Sequence, residues 1–268
     1  MNRNLFLREL KESLQGSLIL SLAVGLYISF SISIYSVMIE NITKVTDLYS
    51  AIPKSLRIAF NFDLNQWTHI LGFYVTYFVY FVPIIAGCYS IISGGKILSK
   101  EEQHKTSEFL LSRPISREQI ITSKLFSLLL HIIGINLFIF VTALVSCGIV
   151  SKWNINLTSF TILHTYGLLM CIFFGVLGFF ITVLMKRARA ITGLGLGIVL
   201  GSYFFDMMIR LADRLQFLLY LTPFKYLNLD VVSPGYRFDF WRLGFFLGTT
   251  ALMIGFSYFF YRRKDILV

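Results

Sequence analysis

Six long apolar segments divide this chain, and they restrict its fold more than any other feature of the sequence. They run over residues 16–38, 70–93, 125–150, 160–185, 190–205 and 241–261. A helix needs about 20 residues to cross the roughly 30 Å hydrocarbon core of a bilayer, and all but the fifth segment reach that length. The chain is 56% hydrophobic and 14% charged, outside the usual range of soluble domains. The sequence therefore predicts an all-α, polytopic membrane protein with six transmembrane helices over residues 16–261.

The residues outside these segments add three smaller elements. Residues 1–15 predict a helix lying in the membrane interface, with Phe6, Leu7, Leu10 and Leu14 on one face and Arg8, Glu9, Lys11 and Glu12 on the other. Residues 206–239 predict an amphipathic extracellular segment, and the sequence does not decide whether its first part, 206–221, is interfacial or re-entrant. Residues 262–268 form a basic tail.

Lysine and arginine are unevenly shared between the two sides of the predicted bundle, which sets its orientation. The N-terminus, residues 94–124, residues 186–189 and the C-terminal tail hold 15 of the 24 basic residues, and the longer loops hold the other 9. Trp67, Trp153 and Trp241 fall at segment ends on the less basic side, where an aromatic belt is expected. We therefore predict a multi-pass plasma-membrane protein with both termini in the cytoplasm. Low alanine with abundant Ile, Asn and Lys favours a bacterial source.

Several functional classes lack the residues that they need. The net charge of +10 flanks membrane segments and forms no patch with interleaved aromatics, which favours anionic lipid over nucleic acid. The cysteines and histidines stand singly, without the spacing of a metal or redox site. No Asp, Glu or Lys lies within the six segments as drawn, which disfavours an ion-coupled carrier. Gly95-Lys96 lacks the first glycine and the Ser/Thr of a P-loop, and no catalytic motif is present. We expect no enzyme activity, cofactor or metal in this chain.

A charged island interrupts the apolar pattern between the second and third segments, over residues 95–124. Two serines fit helix N-caps with a Glu or Gln three residues later: Ser99 with Glu102, and Ser116 with Gln119. Pro114 ends the first helix, so we expect a short helix from about Lys100 to Leu111, a break, and a second helix. Its mixture of acidic and apolar side chains suits docking to a soluble partner.

The island resembles the cytoplasmic signature of ABC-2 type permeases, the membrane subunits of a large exporter family. That signature is an acidic cluster, Gly-Thr, Glu, Leu-Leu, Pro, Ser-Arg, an aliphatic residue and Lys. The matching positions are Glu101, Glu102, Thr106, Glu108, Leu110, Leu111, Pro114, Ser116, Arg117, Ile120 and Lys124. Lys105 stands where the family usually has glycine, a change that stiffens the turn. The six-segment layout extends the resemblance to most of the chain, and Thr222-Pro223-Phe224 adds a short match before the last segment.

The resemblance implies a role for the island as a coupling helix between the second and third spans. In that family this helix fits a groove on a separate ABC ATPase subunit, which holds the ATP and Mg²⁺. The expected coupling residues are those of the signature from Glu101 to Arg117 together with Phe109, whose ring follows the acidic residues. If the island has no partner, it is a solvated charged loop.

The fifth segment carries glycine at every fourth residue, at Gly193, Gly197 and Gly201. Such a face allows close approach of another helix. That helix belongs either to the same bundle or to a second permease copy or paralogue, since the resemblance implies two permeases with two ATPases.

Two hypotheses from different classes follow from the sequence. The first is the permease of an ABC exporter that moves a hydrophobic or amphipathic drug, peptide or lipid. The second is a membrane scaffold or sensor that recruits a cytosolic protein without transport, and a secondary carrier stands third. The sequence does not specify the substrate, nor whether a dimer is homomeric or heteromeric.

Overall fold

A computed structural model describes residues 2–60, 62–103, 115–185, 190–211 and 213–263. Over this part of the chain the regular structure is helical and contains no strand, as predicted. The α-helices are α1 (Arg3–Ser33), α2 (Tyr35–Glu40), α3 (Ile42–Ala51), α4 (Lys54–Ala59), α5 (Leu64–Trp67), α6 (Ile70–Val79), α7 (Gly87–Gln103), α8 (Arg117–Val150), α9 (Leu157–Leu184), α10 (Ile191–Arg210) and α11 (Phe240–Arg263). A π-helical turn, Tyr80–Ala86, joins α6 to α7, and two 3-10 helices, Asp213–Leu221 and Pro223–Tyr226, precede α11.

Six of the described helical segments are long and apolar enough to cross a membrane, which confirms the predicted number of spans. They are Arg3–Glu40, Ile70–Glu101, Arg117–Val150, Leu157–Leu184, Ile191–Arg210 and Phe240–Arg263. Several extend well past the apolar segments drawn from the sequence. The third begins at Arg117 instead of residue 125, and the fifth ends at Arg210 instead of residue 205. These longer helices carry charged residues that the sequence analysis had placed outside the spans.

The first and last described residues lie at the same end of the bundle, which we call the terminal end. There the Asn2 backbone N–H donates to Ser123 Oγ at 2.8 Å, and Arg117 Nη1 donates to the Arg262 carbonyl oxygen at 3.2 Å. The two ends of the 104–114 segment, at Gln103 and Ile115, are attached to helices at this end. The opposite end, which we call the far end, holds α3 to α5 and the two 3-10 helices.

Glycine brings α7 and α9 into backbone contact at the centre of the bundle. A Cβ atom on Gly94 would lie 1.9 Å from the carbonyl oxygen of Gly175, and one on Gly178 would lie 2.0 Å from that of Ile91. Only residues without side chains fit such a contact. The other extensive helix pair is α1 with α8, whereas α10 and α11 lie at the periphery with most of their length exposed.

The second span is not a continuous α-helix, because its π-helical turn, Tyr80–Ala86, contains Pro83. Proline has no N–H to donate, and the turn accommodates the missing bond by its wider path. The Val82 carbonyl oxygen accepts from the Gly87 N–H at the end of the turn and also from Cys171 Sγ of α9 at 3.6 Å. This second contact attaches the turn to α9.

The structure corrects one helix boundary and extends another. Ser99 lies inside α7, and its Oγ donates to the Lys96 carbonyl oxygen at 3.5 Å. The predicted N-cap at Ser99 is therefore wrong, because the helix of the second span continues to Gln103. At the N-terminus, α1 runs without interruption from Arg3 to Ser33. The segment predicted to lie in the membrane interface is thus the first three turns of the first span's own helix.

Candidate functional site

Five charged side chains meet at the terminal end, where α1, α7 and α8 come together. We call this group the ion cluster, and it consists of Glu9, Glu12, Lys100, Glu101 and Lys124. Glu9 and Glu12 lie on α1, Lys100 and Glu101 on the last turn of α7, and Lys124 on the second turn of α8. The cluster therefore ties together the three helices that surround the ends of the 104–114 segment.

Lys124 is the centre of the ion cluster, with a side chain that is 1% exposed. Its Nζ donates to both carboxylate oxygens of Glu101 at 2.7 Å and to the Ile97 carbonyl oxygen. It also lies 3.5 Å from Glu9 Oε1. A buried ammonium group is stable only with such a set of partners. Lys124 thus holds the start of the third span against the end of the second.

Glu9 is fully buried and faces two cations. Its Oε2 lies 2.5 Å from Lys100 Nζ, and its Oε1 faces Lys124. Both contacts pair the buried carboxylate with an ammonium group. Lys100 also donates to Glu12 Oε2 at 2.5 Å, and Glu12 continues to Arg8 at the surface, at 2.7 Å. The acids and bases therefore alternate from the interior to solvent.

This position of Glu9 was not predicted. The sequence placed it with Arg8, Lys11 and Glu12 on the polar face of an interfacial helix. The structure instead buries it, since its partners Lys100 and Lys124 reach it from two other helices. Helical periodicity within residues 3–14 carries no information about cations that lie about 90 or more residues away. The one available signal was Lys124, which matches the lysine of the family signature.

The start of α8 is fixed by contacts with both ends of the chain. The capping box at Ser116 is confirmed, with Ser116 Oγ accepting from the Gln119 N–H at 3.2 Å. Glu118 pairs with Arg262 of α11 at 2.6 Å, and the Thr122 and Tyr258 hydroxyls are hydrogen-bonded at 2.7 Å. The start of α8 is thus held by α11 through these contacts and by α1 and α7 through the ion cluster.

The predicted coupling residues divide into two groups. Glu101, Glu102, Ser116 and Arg117 lie at the ends of α7 and α8, whereas Thr106, Glu108, Phe109, Leu110, Leu111 and Pro114 lie outside the described residues. Glu101 is 6% exposed, and both of its carboxylate oxygens accept from Lys124. Glu101 is therefore paired with Lys124 inside the chain, and its predicted role in coupling stays a prediction.

The glycines of the fifth span face open space. No heavy atom outside their own helix lies within 4 Å of a Cβ built on Gly193, Gly197 or Gly201. Gly195, between them, faces the other way, and a Cβ built on it would lie 3.1 Å from Ile91 Cγ2 of α7. Within the described part of the chain, the predicted glycine face thus contacts no other helix.

At the far end, Asp206 forms a second buried ionic site, which the sequence analysis missed by one residue. Its side chain is 7% exposed, accepts from Thr222 Oγ1 at 2.9 Å and pairs with Arg210 Nε at 2.7 Å. Thr222 opens the Thr-Pro-Phe turn that the sequence analysis singled out, so that turn satisfies a buried carboxylate.

The described residues offer little other chemistry. Among the described residues no group of three or more His, Cys, Asp or Glu side chains is placed to hold a metal ion. Cys88, Cys147 and Cys171 are free thiols. Gly95 lies within α7, and a Cβ built on it would lie 2.1 Å from Ile191 Cγ1. It therefore belongs to a packed helix and not to a nucleotide-binding loop.

These features define a class of protein: a multi-pass helical membrane protein whose charged contacts are concentrated at the ends of its spans. A comparison with protein families then identifies the group to which it belongs. The family described as ABC-2 family transporter protein matches residues 4–266, nearly the whole chain. The chain therefore belongs to the ABC-2 transporter family, whose permeases are membrane subunits that work with ABC ATPase partners. No match was found among curated proteins.

Proposed function

We propose that this chain is the permease subunit of an ABC exporter, and that a separate ABC ATPase drives it by pulling on residues 101–117. One observation carries the proposal beyond family membership. The described ends of this segment are fixed to three helices, by the ion cluster at Glu101 and by the cap and ion pair at Ser116 and Glu118. A displacement imposed on these two ends would thus be passed to α7 and α8.

The path of such a displacement follows from the packing. α7 is bound to α9 by the glycine contacts, and α8 is bound to α1 along their lengths. Movement of the segment would therefore act on two helix pairs, α7 with α9 and α1 with α8. Rigid-body movement of packed helices is a common means of switching access in membrane proteins. We infer that ATP binding in the partner changes the angle between these pairs.

A transporter of this kind needs a second permease, and α10 offers the surface for it. The open face at Gly193, Gly197 and Gly201 permits close backbone approach, and the exposed Leu196, Leu200 and Phe204 lie on the same peripheral helix. We propose that α10 contacts a second copy or a paralogue. Two permeases and two ATPases would complete the transporter, and the ATPases would hold the ATP and Mg²⁺.

The transported substrate is proposed from the interior of the spans. Their central parts hold no Asp, Glu, Lys or Arg in the sequence, and the buried ionic groups Glu9, Glu101, Lys124 and Asp206 lie near helix ends. Such an interior suits a hydrophobic or amphipathic drug, peptide or lipid better than a small ion. The rival function, a scaffold that recruits a cytosolic protein, needs the same docking segment and no moving spans.

The proposed orientation can be tested by accessibility of introduced cysteines. Lys105→Cys and Lys264→Cys should be protected from a membrane-impermeant thiol reagent in intact cells, while Asn154→Cys, at an exposed residue just after α8, should react. The difference is expected because basic residues favour the cytoplasmic side. Labelling is measured before and after permeabilisation, with the parent chain as the blank. Reaction of Lys105→Cys in intact cells would contradict the proposal that an ATPase binds there.

The coupling role is tested at Phe109. A buried aromatic anchor commonly contributes about 2 kcal/mol or more to an interface, equivalent to roughly a 30-fold change in affinity. Phe109→Ala should therefore lose the ATPase on co-purification and stop transport, whereas Glu108→Lys should weaken binding chiefly at higher salt.

The matched control is Phe126→Ala, which removes an aromatic ring that is 54% exposed at the start of the third span. It should leave co-purification and transport at the parent level. A scaffold would lose its partner in Phe109→Ala, but no substrate would move in the parent either. If Phe109→Ala and Phe126→Ala retain the ATPase equally, the segment is not the docking site.

A further inference from the structure

An open cleft of about 600 Å³ lies at the far end, between the connection that joins the first two spans and the segment that follows α10. Its charged lining consists of Lys54, Arg57 and Arg210 against a single carboxylate among the described side chains, Asp63. Lys54 and Arg57 come from the connection between the first two spans, and Arg210 from the end of the fifth. The fold thus gathers three basic residues that are distant in the sequence.

The two described carboxylates near the cleft, Asp63 and Asp206, do not neutralise this lining. Asp63 Oδ1 accepts from the Asn65 N–H at 3.0 Å and its Oδ2 from Gln66 Nε2 at 3.3 Å, so both oxygens are used to hold the start of α5. Asp206 pairs with Arg210. Among the described side chains, neither Lys54 nor Arg57 forms an ion pair within 4.0 Å. Two positive charges of the cleft therefore have no ion-pair partner among the described side chains.

Arg57 is positioned in a way that leaves it ready for an anion. Its guanidinium carbon lies 4.8 Å from the centre of the Tyr49 ring, a cation–π contact that orients the planar group. The Tyr49 hydroxyl is itself fixed by donating to the Phe62 carbonyl oxygen at 3.2 Å. Arg57 Nε is buried and has no hydrogen-bond partner in the described part of the chain. A buried donor left unused is costly, and an oxyanion would satisfy it.

The surroundings of the cleft indicate where that anion comes from. Arg210 is the last residue of a span, so the cleft lies at the level where a helix leaves the hydrocarbon core. Large apolar side chains nearby are exposed, among them Leu56, Phe217 and Leu221, at 47%, 66% and 73%. Basic side chains beside exposed apolar ones are typical of sites that hold a lipid headgroup above its chains.

We propose that this cleft binds the phosphate group of an anionic membrane lipid. Arginine and lysine together suit phosphate, because the planar guanidinium offers paired donors and the ammonium a compact charge. The site is independent of the ATPase-coupling proposal, since it lies at the other end of the bundle. Free phosphate shares the same chemistry and is separated from lipid by the experiment.

The experiment uses the full chain in mild detergent, titrated with phosphatidylglycerol or phosphatidylcholine, with bound lipid counted by native mass spectrometry. Phosphatidylglycerol should bind more tightly than phosphatidylcholine. In the double variant Lys54→Gln/Arg57→Gln its apparent Kd should rise at least about tenfold. The matched control, Lys44→Gln/Lys152→Gln, removes two exposed far-end lysines that do not line the cleft, and should change the Kd less than twofold.

Equal binding by the double variant and the control would overturn the proposal. Addition of inorganic phosphate at millimolar concentration separates the two sources: no displacement of phosphatidylglycerol supports the lipid, whereas displacement without headgroup preference assigns the cleft to a soluble phosphate and overturns it. Arg57→Lys guards against misfolding, since it keeps the charge and loses the paired donors. It should bind phosphatidylglycerol with intermediate affinity, and parent-like binding would count against the role of the guanidinium.

Discussion

Lys124→Met is expected to lower the free energy of unfolding by about 3 to 5 kcal/mol, the usual cost of removing one partner from a buried ion pair. The substitution leaves the Glu101 carboxylate without its two hydrogen bonds from Nζ and leaves fully buried Glu9 facing one cation instead of two. The loss is measured as the thermal stability of the detergent-solubilised chain, followed by size-exclusion chromatography. Lys11→Met, at an exposed lysine of the same end, is the control and should lie within about 0.5 kcal/mol of the parent.

A rescue experiment shows whether charge is the cause. Adding Glu9→Gln and Glu101→Gln to Lys124→Met removes the uncompensated carboxylates and should recover a large part of the stability, because replacing a whole buried ionic group is often nearly neutral. If Lys124→Met unfolds at the parent temperature, the ion cluster does not hold the three helices together.

Gly178→Ala is expected to cost at least about 3 kcal/mol, the upper end of what overpacking usually costs. The new methyl group would lie 2.0 Å from the Ile91 carbonyl oxygen, and a backbone atom moves only if α7 and α9 separate. Gly197→Ala is the matched control, since no heavy atom outside its helix lies within 4 Å. The yield of monodisperse protein is compared between Gly178→Ala and Gly197→Ala, and only the first should fall.

Two substitutions of Gly197 also separate folding from assembly. Gly197→Ala should fold like the parent, and Gly197→Leu should fold yet lose the second permease if α10 forms the proposed contact. Loss of monodisperse protein in Gly197→Ala would show instead that this face is packed within one chain.

The sequence was sufficient for the class of fold and for most of the spans. The lengths of the apolar segments alone predict six helices, because the thickness of a bilayer sets a minimum length for each spanning helix. The Ser116 cap was also predictable, since its partner Gln119 lies three residues away and both contacts are local.

Contacts between distant residues could not be predicted in this way. Glu9, Lys100 and Lys124 look like ordinary charges at the ends of apolar segments, and only the packing of three helices makes them one buried cluster. The glycines show the same limit. Gly94, Gly175 and Gly178 are critical for packing although the regular spacing drew attention to Gly193, Gly197 and Gly201. Spacing reveals a face of a helix, but not what lies opposite it.

The π-helical turn at Tyr80–Ala86 fixes the rotational register between the two halves of the second span. An α-helix turns the chain by about 100° per residue, since 3.6 residues complete one turn, whereas the i→i+5 bonding of a π-helical turn spreads each turn over more residues. The seven residues of this turn therefore rotate the chain by about as much as six α-helical residues. Tyr74, on the far-end half of the span, reaches His164 at 3.1 Å, and Gly94, on the other half, faces Gly175. Deleting one residue within the turn should keep both contacts, whereas deleting one residue of α7 before Gly94 would rotate Gly94 away from Gly175 by about 100°. The two halves of this span contact different parts of α9, and the turn at residues 80–86 keeps both contacts aligned.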